Sequence, residues 1–139
     1  MISKALLLPV VALVAWTMVM WMWMYVTRIP AITRAKMKLD PHVPRGEQMA
    51  LLPASVRWKA DNYNHLMEQP TQFYAVTLAL AMLGGTAIDA YLAWAYVGLR
   101  VVHSIFQSTV NKIEVRFTFF ALSSFALIAL TVRAALMFV

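Results

Sequence analysis

Long uncharged apolar runs alternate with short polar segments along this chain. Residues 5–27 carry no charge between Lys4 and Arg28, and about 20 apolar residues are enough for a helix to cross the hydrocarbon core of a membrane. Runs of similar length recur at about 69–88, 90–111 and 116–138. The pattern therefore predicts four transmembrane helices.

The polar segments between these runs predict the connections. Residues 28–59 form the only long polar stretch, and four prolines predict a loop broken into short pieces. Gly84 and Gly85, with Asp89, indicate a tight turn, and residues 111–116 join the last two helices. Because antiparallel packing is the default for four consecutive helices, we expect one all-α domain over residues 1–139, an integral membrane four-helix up-down bundle.

Basic residues are concentrated in the first and third connections. These connections lie on the same side of an up-down bundle, whereas the other side carries only Lys4, Asp89 and Arg133. The positive-inside rule therefore predicts that both connections lie in the cytoplasm and both termini outside.

Composition supports a membrane protein and narrows its chemistry. Of the 139 residues, 62% are hydrophobic and 13% charged, against about 25% charged in soluble domains. The net charge of +6 does not indicate nucleic-acid binding, because the basic residues flank apolar spans and suit contacts with membrane lipid. The chain has no cysteine, so any thiol chemistry needs a thiol from a ligand.

Polar residues are spaced along one face at the start of the second predicted span. Asp61, Asn64, His65 and Glu68 follow an i, i+3, i+4, i+7 pattern, and Pro70 predicts a kink just after them. One interpretation is a solvated helix end. Glu68 borders the apolar run, however, where a carboxylate is costly unless it is paired.

A second polar face runs along the third predicted span. It consists of Tyr96, Arg100, His103, Gln107 and Asn111. Arg100 lies about midway along the span, where a charge costs a few kcal/mol and needs an anionic partner.

Two interpretations of Arg100 remain open at this point. Glu68 is the nearest carboxylate by depth, so the two residues form a structural pair, or else Arg100 binds an anionic ligand that enters from the cytoplasm. Arg116, at the start of the fourth span, is either a membrane anchor or part of the same site. Arg133 is expected to pair with Asp89 or to reach the interface.

The candidate metal ligands are too few for a carboxylate-bridged site. His65, Glu68 and His103 do not repeat the Glu-x-x-His motif over several helices, so no metal is expected.

Three short motifs resemble the bacterial members of MAPEG, the membrane-associated proteins of eicosanoid and glutathione metabolism. They are ADNYNHLMEQPTQFYA, LAWAYVGLRVVHS and NKIEVRF, within residues 55–139. The resemblance implies a four-helix protomer of a homotrimer in the bacterial inner membrane. It also implies glutathione bound between subunits, in a cleft that faces the cytoplasm, and transferase, peroxidase or isomerase activity on lipophilic substrates.

The resemblance also assigns roles to residues. Arg100 and Arg116 are the candidates for the arginine that stabilises the glutathione thiolate. Candidates for binding the peptide are His65, Glu68, Asn64, Tyr96 and His103.

Two positions depart from the family pattern. His65 stands where an asparagine is more usual. Asp61 stands where glutathione-using members typically have an arginine. A lost charge-assisted contact costs about 1.5–3 kcal/mol, so the departure at Asp61 predicts weaker glutathione binding.

Three functions therefore remain in competition. The first is a membrane-embedded, glutathione-dependent transferase or peroxidase. The second is a non-catalytic binder of lipid or small molecules, and the third is a structural subunit of a larger membrane assembly, for which the Trp- and Met-rich first helix offers an adaptable surface.

Overall fold

Six helices run through residues 3–139, the part of the chain that the computed structural model describes. They are α1 (Lys4–Arg34), α2 (Glu47–Ala50), α3 (Ala54–Leu66), α4 (Gln69–Leu83), α5 (Ala87–Thr109) and α6 (Ile113–Leu136). The predicted all-α class is confirmed. Within the described residues, α1 and α6 are each long and apolar enough to cross a membrane, whereas α4 has only 15 residues, so four spans stay a prediction.

Helix α1 provides the wall against which the next helices pack. It contacts α3, α4 and α5, and α6 packs mainly on α5. Leu6, Leu13 and Met20 recur at every seventh position of α1 and are fully buried, because this spacing keeps them on one helix face. They share the core with Phe73 and Leu80 of α4.

The predicted loop over residues 28–59 was wrong at both ends. Helix α1 continues through Pro30 to Arg34, and α3 begins at Ala54, so the connection is limited to residues 35–53 and contains the short α2. A charged residue ends an apolar run, but it does not end the backbone hydrogen bonding of a helix. Arginine at a helix C-terminus is in fact favoured by the helix dipole. We call the end of the molecule that carries the connection of residues 35–53 the loop end.

The expected kink near Pro70 is a complete break. Helix α3 ends at Leu66 and α4 begins at Gln69, with the intervening Glu68 at φ −90° and ψ −102°. A proline inside a continuous helix would clash with the carbonyl four residues earlier and would lack its own N–H group. The chain avoids this conflict by placing Pro70 in the first turn of a new helix, where no donor is needed.

The turn between α4 and α5 is held by Asp89, as the sequence predicted. Gly84 ends α4 with φ +84°, a conformation that glycine adopts without strain. The Asp89 carboxylate accepts the Thr86 amide at 2.7 Å and is also bound by Arg133 of α6. The predicted pairing of Arg133 with Asp89 is confirmed, although α4 ends before residue 88 and α5 begins at Ala87.

Asp89→Ala should lower stability, because it removes the cap of α5 and leaves Arg133 unpaired. Asp89 is 1% exposed and Arg133 35% exposed, so we expect a loss of about 2 kcal/mol, between the values for surface and buried pairs. Unfolding in detergent measures it. Glu114→Ala is the matched control, since Glu114 is an exposed acid in the first turn of α6, and equal losses would contradict the prediction.

Candidate functional site

Polar side chains of α3 and α4 face polar residues of α5 in an antiparallel ladder. The four pairs are Lys59 with Ser108, Asn62 with Ser104, His65 with His103, and Gln69 with Arg100. Along the ladder the residue number rises from 59 to 69 on α3 and α4, while it falls from 108 to 100 on α5. The Asn62 amide donates to the Ser104 hydroxyl at 2.5 Å, and both residues are fully buried. We call these eight residues the polar ladder.

Lys59 closes the ladder at the loop end. Its ammonium donates to the Ser108 carbonyl at 3.3 Å and to the Ser55 carbonyl at 2.7 Å. It also lies 5.0 Å from the centre of the Trp23 ring, a favourable cation–π contact. Partial burial lowers the pKa of Lys59.

Arg100 is the most deeply buried cation of the ladder, with 1% of its surface exposed. Its Nη2 group donates to the side-chain oxygen of Gln69, and its Cζ atom lies 4.9 Å from the centre of the Phe120 ring. The Nε and Nη1 groups are buried and have no hydrogen-bond partner among the described residues. Because a buried, unpaired cation is costly, these two groups are suited to donate to an anionic ligand.

Glu68 does not pair with Arg100 within the chain, so the structural pairing considered from the sequence is wrong. The Glu68 side chain is 68% exposed and lies 3.0 Å from Nδ1 of His65. The break before α4 turns Glu68 outward and Gln69 inward. The partner of Arg100 is therefore a neutral amide.

Tyr96 supports Arg100 through the same amide. Its hydroxyl donates to the Gln69 oxygen at 3.3 Å, and its ring stacks on Phe73 at 4.4 Å. Tyr96 is fully buried. The sequence placed Tyr96 and Arg100 on one face, and the structure shows that Gln69 joins them.

A pocket of about 210 Å³ opens between α3, α5 and α6. Its lining consists of His65, His103, Ile113, Arg116, Phe117 and Phe120. The two imidazole rings lie 5.0 Å apart, and the Phe120 ring stacks on His65 at 5.5 Å. We call this opening the histidine pocket. Phe120 lines it and also contacts Arg100, which does not line it, so we infer that the ring separates the guanidinium from the opening.

Arg116 belongs to the same pocket. Its Nη1 group donates to the Asn111 side chain at 2.6 Å, and Asn111 has a positive φ of 52° in the turn before α6. This contact leaves the rest of the half-buried guanidinium at the pocket wall. The pocket thus combines a cation, two imidazoles and aromatic rings, and no carboxylate is among the described residues that line it, a composition that suits an anionic ligand with an apolar part.

Asn64 and Asp61 lie apart from the histidine pocket. Both are exposed and line a separate groove between α1 and α3. Of the predicted site residues, the structure brings together Arg100, Arg116, Tyr96, His65 and His103. Asn64 lies outside the histidine pocket, and Glu68 lies at its margin.

Sequence reasoning missed Asn62, Gln69 and Phe120. The inward polar face of α3 and α4 follows residues 59, 62, 65 and 69, whereas the predicted face followed 61, 64, 65 and 68. The sequence does hold a signal for Asn62 and Gln69. The polar positions of α5 require polar partners on the facing helices, and these partners must follow the complementary antiparallel spacing. Phe120 carried no such signal, since an aromatic residue in an apolar helix is ordinary.

The model of one protein family, the MAPEG family, matches residues 6–136. Comparison with curated proteins and with solved structures gave no match. The family match covers nearly the whole chain, and so includes α1 and the long connection as well as the motifs of α3 to α6.

Gln69→Leu should destabilise the protein more than Glu68→Gln. The first change removes the acceptor of a buried guanidinium, which costs about 1.5–3 kcal/mol, whereas the exposed His65–Glu68 contact is worth at most about 1 kcal/mol. Unfolding of both variants in detergent measures the difference. The reverse order would show that Glu68, and not Gln69, is the partner of Arg100.

Phe120→Ala should expose Arg100 to reagents in solution. We expect a water-soluble dicarbonyl to modify Arg100 several times faster than in the parent protein, with the site located by peptide mass spectrometry. Phe119→Ala is the matched control, because Phe119 packs on Phe106 at 5.8 Å and does not line the histidine pocket. Equal modification rates in the two variants, both with parental helix content, would contradict the shielding role of Phe120.

Proposed function

The chain belongs to the MAPEG family, and on this premise we propose that it is a membrane enzyme that uses glutathione on lipophilic substrates, as a transferase or peroxidase. The observation that carries the proposal is the buried guanidinium of Arg100, whose Nε and Nη1 groups have no acceptor among the described residues. A cation in a site of low polarity stabilises an anion more strongly than it does in water. Since the chain has no cysteine, the thiol is the ligand's.

In the proposed chemistry the ligand supplies the reacting thiol, and residues of the protein activate it. Bound glutathione supplies a thiolate, which attacks an electrophilic carbon and expels its leaving group. Alternatively it attacks a peroxide oxygen, which breaks the O–O bond, releases an alcohol and leaves a glutathione sulfenic acid. A second glutathione then reduces the sulfenic acid, with formation of the disulfide and loss of water. Arg100 donates its free N–H groups to the sulfur and thereby lowers the pKa of the thiol. His65, which lies at the pocket and contacts the exposed Glu68, is placed to pass the thiol proton to water.

Other residues bind or position the ligand in this proposal. Arg116 binds a carboxylate of the peptide, as a guanidinium can do with two N–H groups. His103 forms the wall beside it. Tyr96 is a positioning residue, because it acts on Arg100 through Gln69.

The size of the histidine pocket favours a shared site. About 210 Å³ is less than the roughly 300–1,000 Å³ of typical small-molecule sites. We propose that a neighbouring subunit of a homotrimer completes the cleft, where the exposed Glu68 binds the remainder of the peptide. Asp61 lines the groove on the other side of α3, so within one chain its carboxylate does not face Arg100.

The proposed orientation follows from charge. We place the loop end in the cytoplasm, the termini outside and four helical spans in a bacterial inner membrane. The basic residues between α1 and α3 support this placement, because lysine and arginine are retained on the cytoplasmic side. Glutathione then enters from the cytoplasm, while lipophilic substrates enter from the bilayer.

One observation favours a second candidate, the non-catalytic binder. Arg100 is 1% exposed and shielded by Phe120, so its N–H groups reach a ligand only when the ring moves. A protein that retains a lipid or small anionic molecule without turning it over would have the same closed geometry. The two candidates differ in whether glutathione binding is followed by turnover.

Arg100→Gln should lower the transferase rate of the purified protein about 100-fold or more, the usual effect of removing one preorganised donor. The assay combines glutathione with a chlorodinitrobenzene-type electrophile, and the ultraviolet absorbance of the thiolate should fall with the rate. Arg116→Gln should raise KM more than it lowers kcat.

Arg34→Gln is the matched control, because Arg34 is an exposed arginine at the end of α1 and is remote from the pocket lining. It should keep the parental rate. Glutathione binding without turnover would favour the non-catalytic binder, and the absence of both binding and turnover would overturn the proposed function.

A further inference from the structure

A groove of about 430 Å³ lies between α1, α2 and α3 at the loop end, apart from the histidine pocket. One arginine comes from each of three segments, namely Arg28 from α1, Arg45 from the connection before α2, and Arg57 from α3. We call it the arginine groove. The proposed glutathione chemistry does not use these arginines.

The arginine groove has excess positive charge. Three guanidinium groups line it with one carboxylate, that of Asp61. The ion pairs of the described residues are His65–Glu68 and Arg133–Asp89, so none of the three arginines is in an ion pair with a carboxylate. Nε of the half-buried Arg28 is enclosed and has no hydrogen-bond partner in the described chain. A planar guanidinium is well matched to phosphate, which it can bind with two parallel hydrogen bonds.

An exposed apolar stripe leads along α1 into this groove. It consists of Val11, Val14, Met18, Trp21 and Tyr25, which are 61%, 46%, 52%, 40% and 40% exposed. Their spacing of three and four residues keeps them on one helix face, and the next position in the series is Arg28. At 1.5 Å per residue the stripe is about 20 Å long, which exceeds half of a hydrocarbon core of roughly 30 Å.

The aromatic pair at the end of the stripe indicates the level of the membrane surface. The rings of Trp21 and Tyr25 meet edge to face at 5.2 Å, and Tyr25 also lines the groove. Tryptophan and tyrosine are enriched where hydrocarbon meets headgroups. The arginines therefore lie at the depth of lipid phosphates.

We propose that the arginine groove binds the phosphate headgroup of an anionic membrane phospholipid, whose acyl chains lie along the stripe from Val11 to Tyr25. The continuity of a cationic groove with an apolar track favours a lipid over free phosphate, which has no apolar part. This site is independent of the proposed enzymatic activity.

Native mass spectrometry of the full chain, released from micelles with phosphatidylglycerol or phosphatidylcholine, tests the headgroup site. The double variant Arg28→Gln, Arg57→Gln should lose retained phosphatidylglycerol about 30-fold, at roughly 1 kcal/mol for each arginine near a membrane surface. Retention of phosphatidylcholine should not change. The matched control, Arg34→Gln with Lys38→Gln, removes the same charge from exposed positions outside the groove.

The control should keep most of its phosphatidylglycerol. Equal losses in the two double variants would show that net charge alone explains the effect, and would overturn the proposal. Displacement of the lipid by inorganic phosphate at matched concentration would overturn the lipid as the ligand.

Fluorescence quenching tests the acyl track. Phosphatidylglycerol brominated on its acyl chains should quench Trp21, identified as the signal lost in Trp21→Phe, and the Arg28, Arg57 double variant should reduce this quenching. An unquenched Trp21 in the parent protein would mean that a second copy covers the stripe, and would overturn the proposal.

Discussion

The structure depends on the burial of a guanidinium in an apolar interior without a carboxylate beside it. A charge at this depth costs several kcal/mol unless acceptors surround it, yet the chain offers Arg100 one amide oxygen and two aromatic faces. The amide is available because the chain breaks before α4 and turns Gln69 inward. Pro70, which occupies the first turn after the break, is thus linked to the site through backbone geometry.

The polar face of α5 was predicted correctly from Tyr96 to Gln107, although Asn111 lies in the turn after the helix. Its partner face was wrong by about one residue. A long helix has a fixed period, so the spacing of Arg100, His103 and Gln107 defines a face without further information. Two faces of α3 carry polar residues at regular helical spacing. The prediction chose the face that carries the carboxylates Asp61 and Glu68. Burial selects the other, because an amide such as Asn62 loses less free energy than a carboxylate when it leaves water.

The helix boundaries failed for a related reason. Hydropathy reports where a chain meets lipid, but a helix ends where its backbone hydrogen bonds end. Helix α1 therefore runs past Arg28 and through Pro30, and α3 begins well before the apolar run of α4. The short turn at Gly84 and Gly85 was predictable. The backbone conformation that favours glycine occurs at Gly84, where the buried apolar run of α4 ends.

The arginine groove and the site of Arg100 differ in their access to water. This difference suits them to different ligands. The arginine groove is open, and within it Arg45 and Arg57 are exposed, so salt screens their charge over about 8 Å at physiological ionic strength. They can retain a headgroup that exchanges with the surrounding membrane. Arg100 is shielded by Phe120 and supported by Gln69, and salt screens a buried charge much less. A buried guanidinium is therefore suited to the proposed stabilisation of a thiolate at an ionic strength that weakens binding at the surface. Exposure supports the one proposed role of arginine, and burial supports the other.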